Sequence, residues 1–458
     1  MQQRFTVRPR VPPFPKIWAI HPFEVWVVVA LNAVVICGMW FIHGGLTQLG
    51  TFGGLLTAVG QLTALLGTYL ALVGIVLMSR SPWLDQLFGA GELARWHKWV
   101  GFGTLWLLVG HGIFTTIGFA AQAGVSIPDE INALLFTYPW VLAATVALGL
   151  MMVVGFLSIK AARQRLSYET WYGIHLYAYL AVALAFVHEL VVGTDFVSDT
   201  VAQVYWIGLY VAVVVLVLVF RLGQPIVLSW RHRFRVAEVR AEGPNVVSIY
   251  ITGRKLDRLP SRAGQFFYWR FLSSGGWWRA HPFSLSAAPN GKYLRITVKI
   301  SGDDTSLIQH VQPGMRVFAE GPYGAFTGAR RRFARVLLIA GGIGITPLRA
   351  MLEELQGQPG SATVLYRASS WDHVVFRQEL DALAAASGAT IAYLVGKRQP
   401  GSRRSDPLDA ASIARLVPDV RIRDTFICGP DSMNDAVRRS LRRLGVANSQ
   451  IHAERFAF

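Results

Sequence analysis

The sequence predicts a membrane bundle of six transmembrane α-helices followed by two cytosolic domains, an antiparallel β-barrel and a doubly wound α/β domain. Three observations predict it: six apolar stretches before residue 222, basic residues confined to alternate loops, and a switch to strand-like alternation after residue 230.

Hydrophobic residues make up 53% of the 458 positions and charged residues 16%, with a mean hydropathy of +0.39. Soluble domains carry about a quarter charged residues, so an ordinary soluble enzyme is excluded. A net charge of +17 suits either nucleic acid or an anionic membrane surface. Its placement decides for membrane lipid and against nucleic acid. After an N-terminal segment at 1–21, apolar spans are read at 22–43, 54–78, 98–119, 138–159, 170–192 and 202–221. Arg4, Arg8, Arg10, Lys16, Arg80, Arg95, Lys98, Lys160, Arg163, Arg165, Arg221, Arg231, Arg233 and Arg235 fall on one side. Loops 44–53, 120–137 and 193–201 carry no Lys or Arg. The positive-inside rule then makes this a multi-pass protein of the cell membrane with both termini cytoplasmic. The first apolar run is too long for a signal-peptide core, so no cleavable leader is expected. Two cysteines, Cys37 and Cys428, support no disulfide framework and no Cys-based metal site.

The helical domain is expected over 22–222, a β-barrel over 230–328 and an α/β domain over 329–458. Alternation in 234–239 and 294–300 marks barrel strands. Beyond Arg330 to Arg332, short apolar strands alternate with helical segments such as 346–356 and 431–444, the pattern of a doubly wound sheet.

Span three carries His97 and His111, fourteen residues apart, and span five His175 and His188, thirteen apart. Ionisable residues inside a membrane are costly and point to function. Each pair is separated by about 20 Å along its helix, which places one histidine from each span at each of two depths. Two facing imidazoles at one depth suit a haem iron. Fourteen residues return a helix to within about 40° of the same face, whereas thirteen leave about 140°. Span five must therefore bend or present its ligands from different sides. His21 and His43, at the ends of span one, read as interfacial. Arg95 reads either as a counter-charge to haem propionates or as a plain positive-inside residue.

In the barrel region, His281, Pro282, Phe283, Ser284 and Ser286 close a strand, and Gly264 upstream allows a tight turn. Backbone groups and the Ser284 hydroxyl there suit a flavin. Gly302, Asp303 and Thr305 begin a helix-like segment suited to a pyrophosphate, and Gly321 to Gly324 reads as another turn. Farther on, a buried strand at 336–340 runs into Gly341, Gly342 and Gly344, and a helix opens with Thr346 and Pro347. This glycine turn lets backbone approach a dinucleotide diphosphate at the positive end of a helix. Arg367, Lys397 and Arg398 follow later strands, where an adenosine 2′-phosphate is read, favouring NADPH over NADH. Cys428, Gly429 and Pro430 end another strand, with Cys428 facing the nicotinamide or simply packing the core. The terminal aromatic Phe458, or Phe456 in its place, would cover the flavin until nicotinamide displaces it.

These segments together resemble the ferric reductase/NADPH oxidase superfamily over nearly the whole chain. The resemblance implies a six-helix domain with two haem b groups and a ferredoxin-reductase-like module binding FAD and NADPH. It also implies an inner haem on His97 and His175 and an outer haem on His111 and His188. The length and lack of an EF-hand pattern resemble a bacterial member. One departure stands out: an arginine of span two and an extra histidine of span three, present in oxygen-reducing animal members, fall near Gln61 and Thr115. The function implied is electron transfer from NADPH across the membrane to a small-molecule acceptor, oxygen or a ferric chelate. A haem-binding sensor or assembly protein, a histidine-relay transporter and homo-oligomerisation stay open.

Overall fold

The computed structural model describes residues 22–193, 196–197, 199–272, 278–301, 307–355, 361–396 and 406–455. The chain divides into two compact units, one running to Ser81 and resuming over Glu92–Arg221, the other comprising Pro82–Gly91 and the chain from Leu222 onward.

The first unit is helical. Helix α1 spans Pro22–Ile42, and α2 spans Phe52–Leu77, its first turn capped by the Thr51 hydroxyl accepting from Gly54 N at 3.1 Å. Helix α3 (Pro82–Phe88) belongs to the second unit, and α4 runs 34 residues over Ala90–Ala123. The fourth expected span, 138–159, is α6 (Val141–Leu157), and the loop expected at 120–137 instead holds a helix, α5 (Ile127–Phe136), which meets α6 at 104°. After the short α7 (Lys160–Arg163), span five is two helices, α8 (Tyr168–His175) and α9 (Tyr177–Val192). Helix α10 (Thr200–Val217) leads through a π-helical turn into α11 (Gln224–His232). Among the described residues five helices are long and apolar enough to cross a membrane, or six if the bent pair is counted as one span. Their inner faces meet in a cluster of Ile36, Tyr69, Leu72, Trp206, Tyr210 and Val213. Phe102, Trp106, Ile113 and Val153 are exposed on outer faces, where water would penalise them and lipid does not.

The second unit opens with two three-stranded antiparallel sheets. Strands β1 (Arg235–Gly243), β2 (Val246–Thr252), β3 (Phe266–Phe271), β4 (His281–Ser284), β5 (Leu294–Lys299) and β6 (Val317–Tyr323) pair in the orders β1-β2-β5 and β4-β3-β6. Phe234, Ile249, Phe267, Trp269, Leu285 and Ile296 fill the space between them. Residues 321–323, expected as a turn, form the end of β6. The α/β domain follows: β7 (Val336–Gly341), α12 (Ile345–Glu354), β8 (Ala362–Ala368), α13 (Arg377–Ser387), β9 (Thr390–Val395), α14 (Ala410–Leu416), β10 (Asp424–Gly429), α15 (Asp431–Arg443) and β11 (Ile451–Arg455). All adjacent strands run parallel in the order β11-β10-β7-β8-β9. Every residue of β7 and β10 is buried. Leu338 and Ala340 pack into one layer, Leu337 and Ile339 into the other, as a sheet covered on both faces requires. The order reverses between β7 and β10, and ligands of such sheets bind outside the strand carboxyl ends at that point.

Candidate functional site

The candidate sites are four histidines in the helical unit and, in the other unit, a strand suited to a flavin and a glycine loop suited to a nucleotide. Nδ1 of His97 lies 3.0 Å from the Gly74 carbonyl oxygen, and Nδ1 of His111 lies 3.0 Å from that of Gly60. A carbonyl oxygen only accepts, so each imidazole donates through Nδ1–H and keeps the Nε2 lone pair free for a metal. Both acceptors lie on α2, fourteen residues apart like the histidines. Glycines at 53, 60, 67 and 74 recur every seven residues of α2 and bring α4 close. A Cβ on Gly60 would sit 2.5 Å from Thr115 Cγ2, and one on Gly67 2.9 Å from Leu108 Cδ2. Across from α4, the His175 ring centroid is 5.9 Å from that of His97. The two imidazoles are therefore close enough for both to be ligands of one bound haem, were it present. His188 is within electrostatic range of His111, and its Nδ1 is buried with no hydrogen-bond partner among the described residues. The donor set fits two haems held by pairs of imidazoles.

The awkward thirteen-residue spacing meets a break in the helix. Helix α8 ends at His175, Leu176 interrupts, and Tyr179 N donates to Leu176 O at 3.0 Å, a three-residue turn. Such a turn winds tighter than an α-helix and reduces the mismatch. Trp171 stacks on His175 at 5.0 Å, and the Ser158 hydroxyl lies 3.4 Å from its Nδ1. Arg95 pairs with Glu92 on its own helix. Arg221, which donates to the Tyr179 hydroxyl at 3.0 Å, is the cation within electrostatic range of His175. His43 pairs with Asp199 at 2.9 Å. Sequence reasoning missed Glu189, a half-buried carboxyl beside His188 that accepts from the Thr68 hydroxyl at 2.5 Å and the Tyr210 hydroxyl at 2.9 Å. An acidic residue in an apolar span was the available signal. At the two departing positions, Gln61 accepts from Trp40 Nε1 at 3.0 Å, and the Thr115 hydroxyl turns back to the His111 carbonyl at 2.6 Å.

In the barrel, His281 to Ser284 form β4, paired with β3 so that Phe266 faces Ser284 and Trp269 faces His281. His281 and Phe283 stack in parallel on one face, and Pro282 is half-buried between them. Ser284 is buried at the strand end. Ser286 does not join this group. It is fully buried, and its hydroxyl is shared between Thr297 Oγ1 at 2.7 Å and Arg295 Nε at 3.1 Å. Its hydroxyl thus belongs to the network behind the strand. Gly302, Asp303, Thr305, Phe456 and Phe458 lie outside the described residues.

At the nucleotide loop the glycines divide into two kinds. A Cβ on Gly344 would fall 2.1 Å from the Cys428 carbonyl oxygen, and one on Gly341 or Gly429 would strike Met433 at 2.6 and 2.5 Å. These three glycines serve close packing of the loop against the Cys428–Pro430 turn. Gly342 has φ +53 and open space where a Cβ would project, so it is the position where backbone is free to meet a diphosphate. Thr346 is buried and donates to the Ile343 carbonyl at 3.0 Å, and Pro347 sits buried in the first turn of α12. Arg367 is braced across the strand ends, donating to Ala368 O at 2.6 Å and Leu394 O at 2.8 Å. Lys397 and Arg398 lie outside the described residues. Burial, and then nearby Glu454, push the Cys428 thiol well above its ordinary range, which makes it an inert thiol packed in the core. Glu454 is itself raised to about 8 by burial and by Asp85, with Arg330 opposing. Asp85 of α3 accepts from Gly324 N, just past β6.

Family models match along the chain in order: a ferric reductase like transmembrane component at residues 63–186, an FAD-binding domain at 231–327 and an oxidoreductase NAD-binding domain at 338–439. The chain has the ferric reductase/NADPH oxidase architecture. That order joins a membrane component to FAD-binding and NAD-binding oxidoreductase domains. The chain is 30% identical over 247 residues to the NADPH oxidoreductase of Mycobacterium tuberculosis, covering 52% of this chain and 63% of the relative. It is 31% identical over 250 residues to the flavohemoprotein of Chromobacterium violaceum, covering 50% of this chain and 61% of the relative. The chain thus spans about three fifths of these relatives' lengths. The FAD/NAD-binding domain of nitric oxide dioxygenase from Vibrio cholerae is 26% identical with a TM-score of 0.41, covering 49% of this chain and 98% of that domain.

Proposed function

We propose that this protein carries electrons from cytosolic NADPH through FAD and two b-type haems to oxygen on the far side of the membrane, producing superoxide. The observation that carries the haem reading is the pairing of His97 and His111 with Gly74 and Gly60, which fixes both imidazoles with Nε2 free. His97 and His175 would hold the inner haem and His111 and His188 the outer one. When bound, FAD divides the two electrons of a hydride into single electrons that the haems relay. The chain's own part is placement: β4 holds the flavin ring, the open backbone at Gly342 takes the diphosphate, and Arg367 stands at the strand ends where a 2′-phosphate is read. The basic loops put the nucleotide domains and both termini in the cytosol.

A ferric chelate is the second reading, favoured by Gln61 and Thr115, whose side chains are bonded to Trp40 and the His111 carbonyl. Purified protein with FAD should oxidise NADPH under oxygen and reduce a dye in a manner sensitive to superoxide dismutase. NADPH oxidation that requires added ferric chelate would overturn the choice of oxygen.

A further inference from the structure

Behind the flavin strand lies a buried charge network that neither cofactor site contains. Arg295 of β5 is 3% exposed and uses all its donor directions. It reaches both carboxylate oxygens of Glu379 on α13 at 2.8 and 3.0 Å, the Ser286 carbonyl at 2.8 Å and the Ser286 hydroxyl at 3.1 Å. Its guanidinium lies 4.6 Å from the Phe376 ring centroid. Arg349 of α12 approaches the same Glu379 at 2.9 Å, donates to the Ser286 carbonyl at 3.2 Å and pairs with Glu353. Glu353 accepts from Ala288 N at 2.7 Å. Burial would raise the Glu379 carboxyl, but the two guanidiniums outweigh it and hold the group below its ordinary value. Two arginines and two glutamates thus grip the segment that follows β4.

The placement matters more than the bonds. Ser286 and Ala288 lie two and four residues past Ser284, the end of the flavin strand. Arg349 and Glu353 lie on the helix that the nucleotide loop opens. A buried ion network stabilises little compared with apolar packing, but a bidentate fork fixes angle as well as distance. We infer that Arg295, Arg349, Glu353 and Glu379 are positioning residues for hydride transfer, setting the register of the nucleotide loop against the flavin strand. This rests on the barrel holding FAD and the α/β domain holding NADPH.

The test is anaerobic stopped-flow reduction of FAD-loaded full-length protein in detergent, with NADPH or NADPH deuterated at the transferred position. Glu379→Gln removes the charge and keeps the length; Arg295→Lys keeps the charge and loses the fork. Both should lower the rate of flavin reduction by on the order of 10²-fold, with a larger deuterium effect and with FAD content and NADPH affinity as in the parent. A per-flavin rate equal to the parent's in either variant, or a loss fully accounted for by missing FAD, would overturn the inference. A parent protein that retains no FAD, or whose flavin NADPH does not bleach, would instead overturn the cofactor reading beneath it.

Discussion

A histidine's ring carries one proton, and where that proton sits decides whether the residue can take a metal. For His97 and His111 the carbonyls of Gly74 and Gly60 make the choice. The imidazoles themselves were legible as candidate ligands from spacing, but their partners were not, because a glycine carbonyl has no side-chain signature. The seven-residue repeat of glycines on α2 was the visible trace. Gly60→Ala should force α4 away from α2, since its Cβ would lie 2.5 Å from Thr115 Cγ2 and 3.0 Å from Thr115 N; overpacking of this kind costs about 1–3 kcal/mol. Haem content per chain, measured as the pyridine adduct, should fall, and an unchanged content would count against the Gly60 carbonyl orienting the His111 ring. The nucleotide loop offers a paired contrast. Gly344→Ala meets the Cys428 backbone at 2.1 Å and should destabilise the domain strongly, whereas Gly342→Ala meets open space and bears only the strain of a left-handed φ of +53, about 1 kcal/mol, so it should still fold yet raise KM for NADPH. Equal melting temperatures for the two variants would contradict this division. Cys428, read from sequence as either nicotinamide-facing or core, is fully buried; it should resist alkylation in the folded protein and react only on unfolding, as peptide mass analysis would show.

Elements were legible where composition is lopsided and obscure where it is mixed. Long apolar helices announce themselves, as do the fully buried parallel strands β7 and β10. The break at Leu176 did not, because no proline or glycine marks it; the spacing of His175 and His188 demanded some distortion without locating it. Helix α3 was hidden for another reason. Its seven residues carry no span-like signal, and its role lies in a contact distant in sequence, with Asp85 accepting from Gly324 N. The charge cluster of Asp85, Arg330 and Glu454 beside β11 was equally invisible. Glu454 rises from its ordinary 4.5 to about 8 and Asp85 from 3.8 to about 6, burial being the main cause for each. A folded pKa above the unfolded one means that the folded state binds more protons, so stability is fully present below the unfolded value and is lost as pH climbs through the folded one. The melting temperature of the unit that holds the nucleotide domains should therefore decline from about pH 5 to about pH 8, and Glu454→Gln should flatten that decline. An identical pH profile for parent and variant would sink the assignment.

At the scale of the whole molecule, the arrangement of charge along the sequence carried the most information. Basic residues sorted by loop are what lead the positive-inside rule to expect a direction for the membrane domain, with the flavin and nucleotide segments following the last basic loop in the sequence. That order, matched by family models in the same sequence along the chain, makes a donor on one face and an acceptor on the other the natural reading. The acceptor itself was not legible, because its reduction requires no covalent residue and the two informative positions, Gln61 and Thr115, bond inward to their own bundle. The central claim is that the four histidines hold haems that receive electrons from NADPH. Full-length protein purified with FAD, titrated anaerobically with NADPH, tests it in one visible spectrum. The resting protein should show a haem b Soret band, and the reduced α-band should grow on adding NADPH, with both lost when His97 and His111 are replaced by leucine. Protein that oxidises NADPH while showing no haem absorbance, or whose haem spectrum does not change as NADPH is consumed, would contradict it.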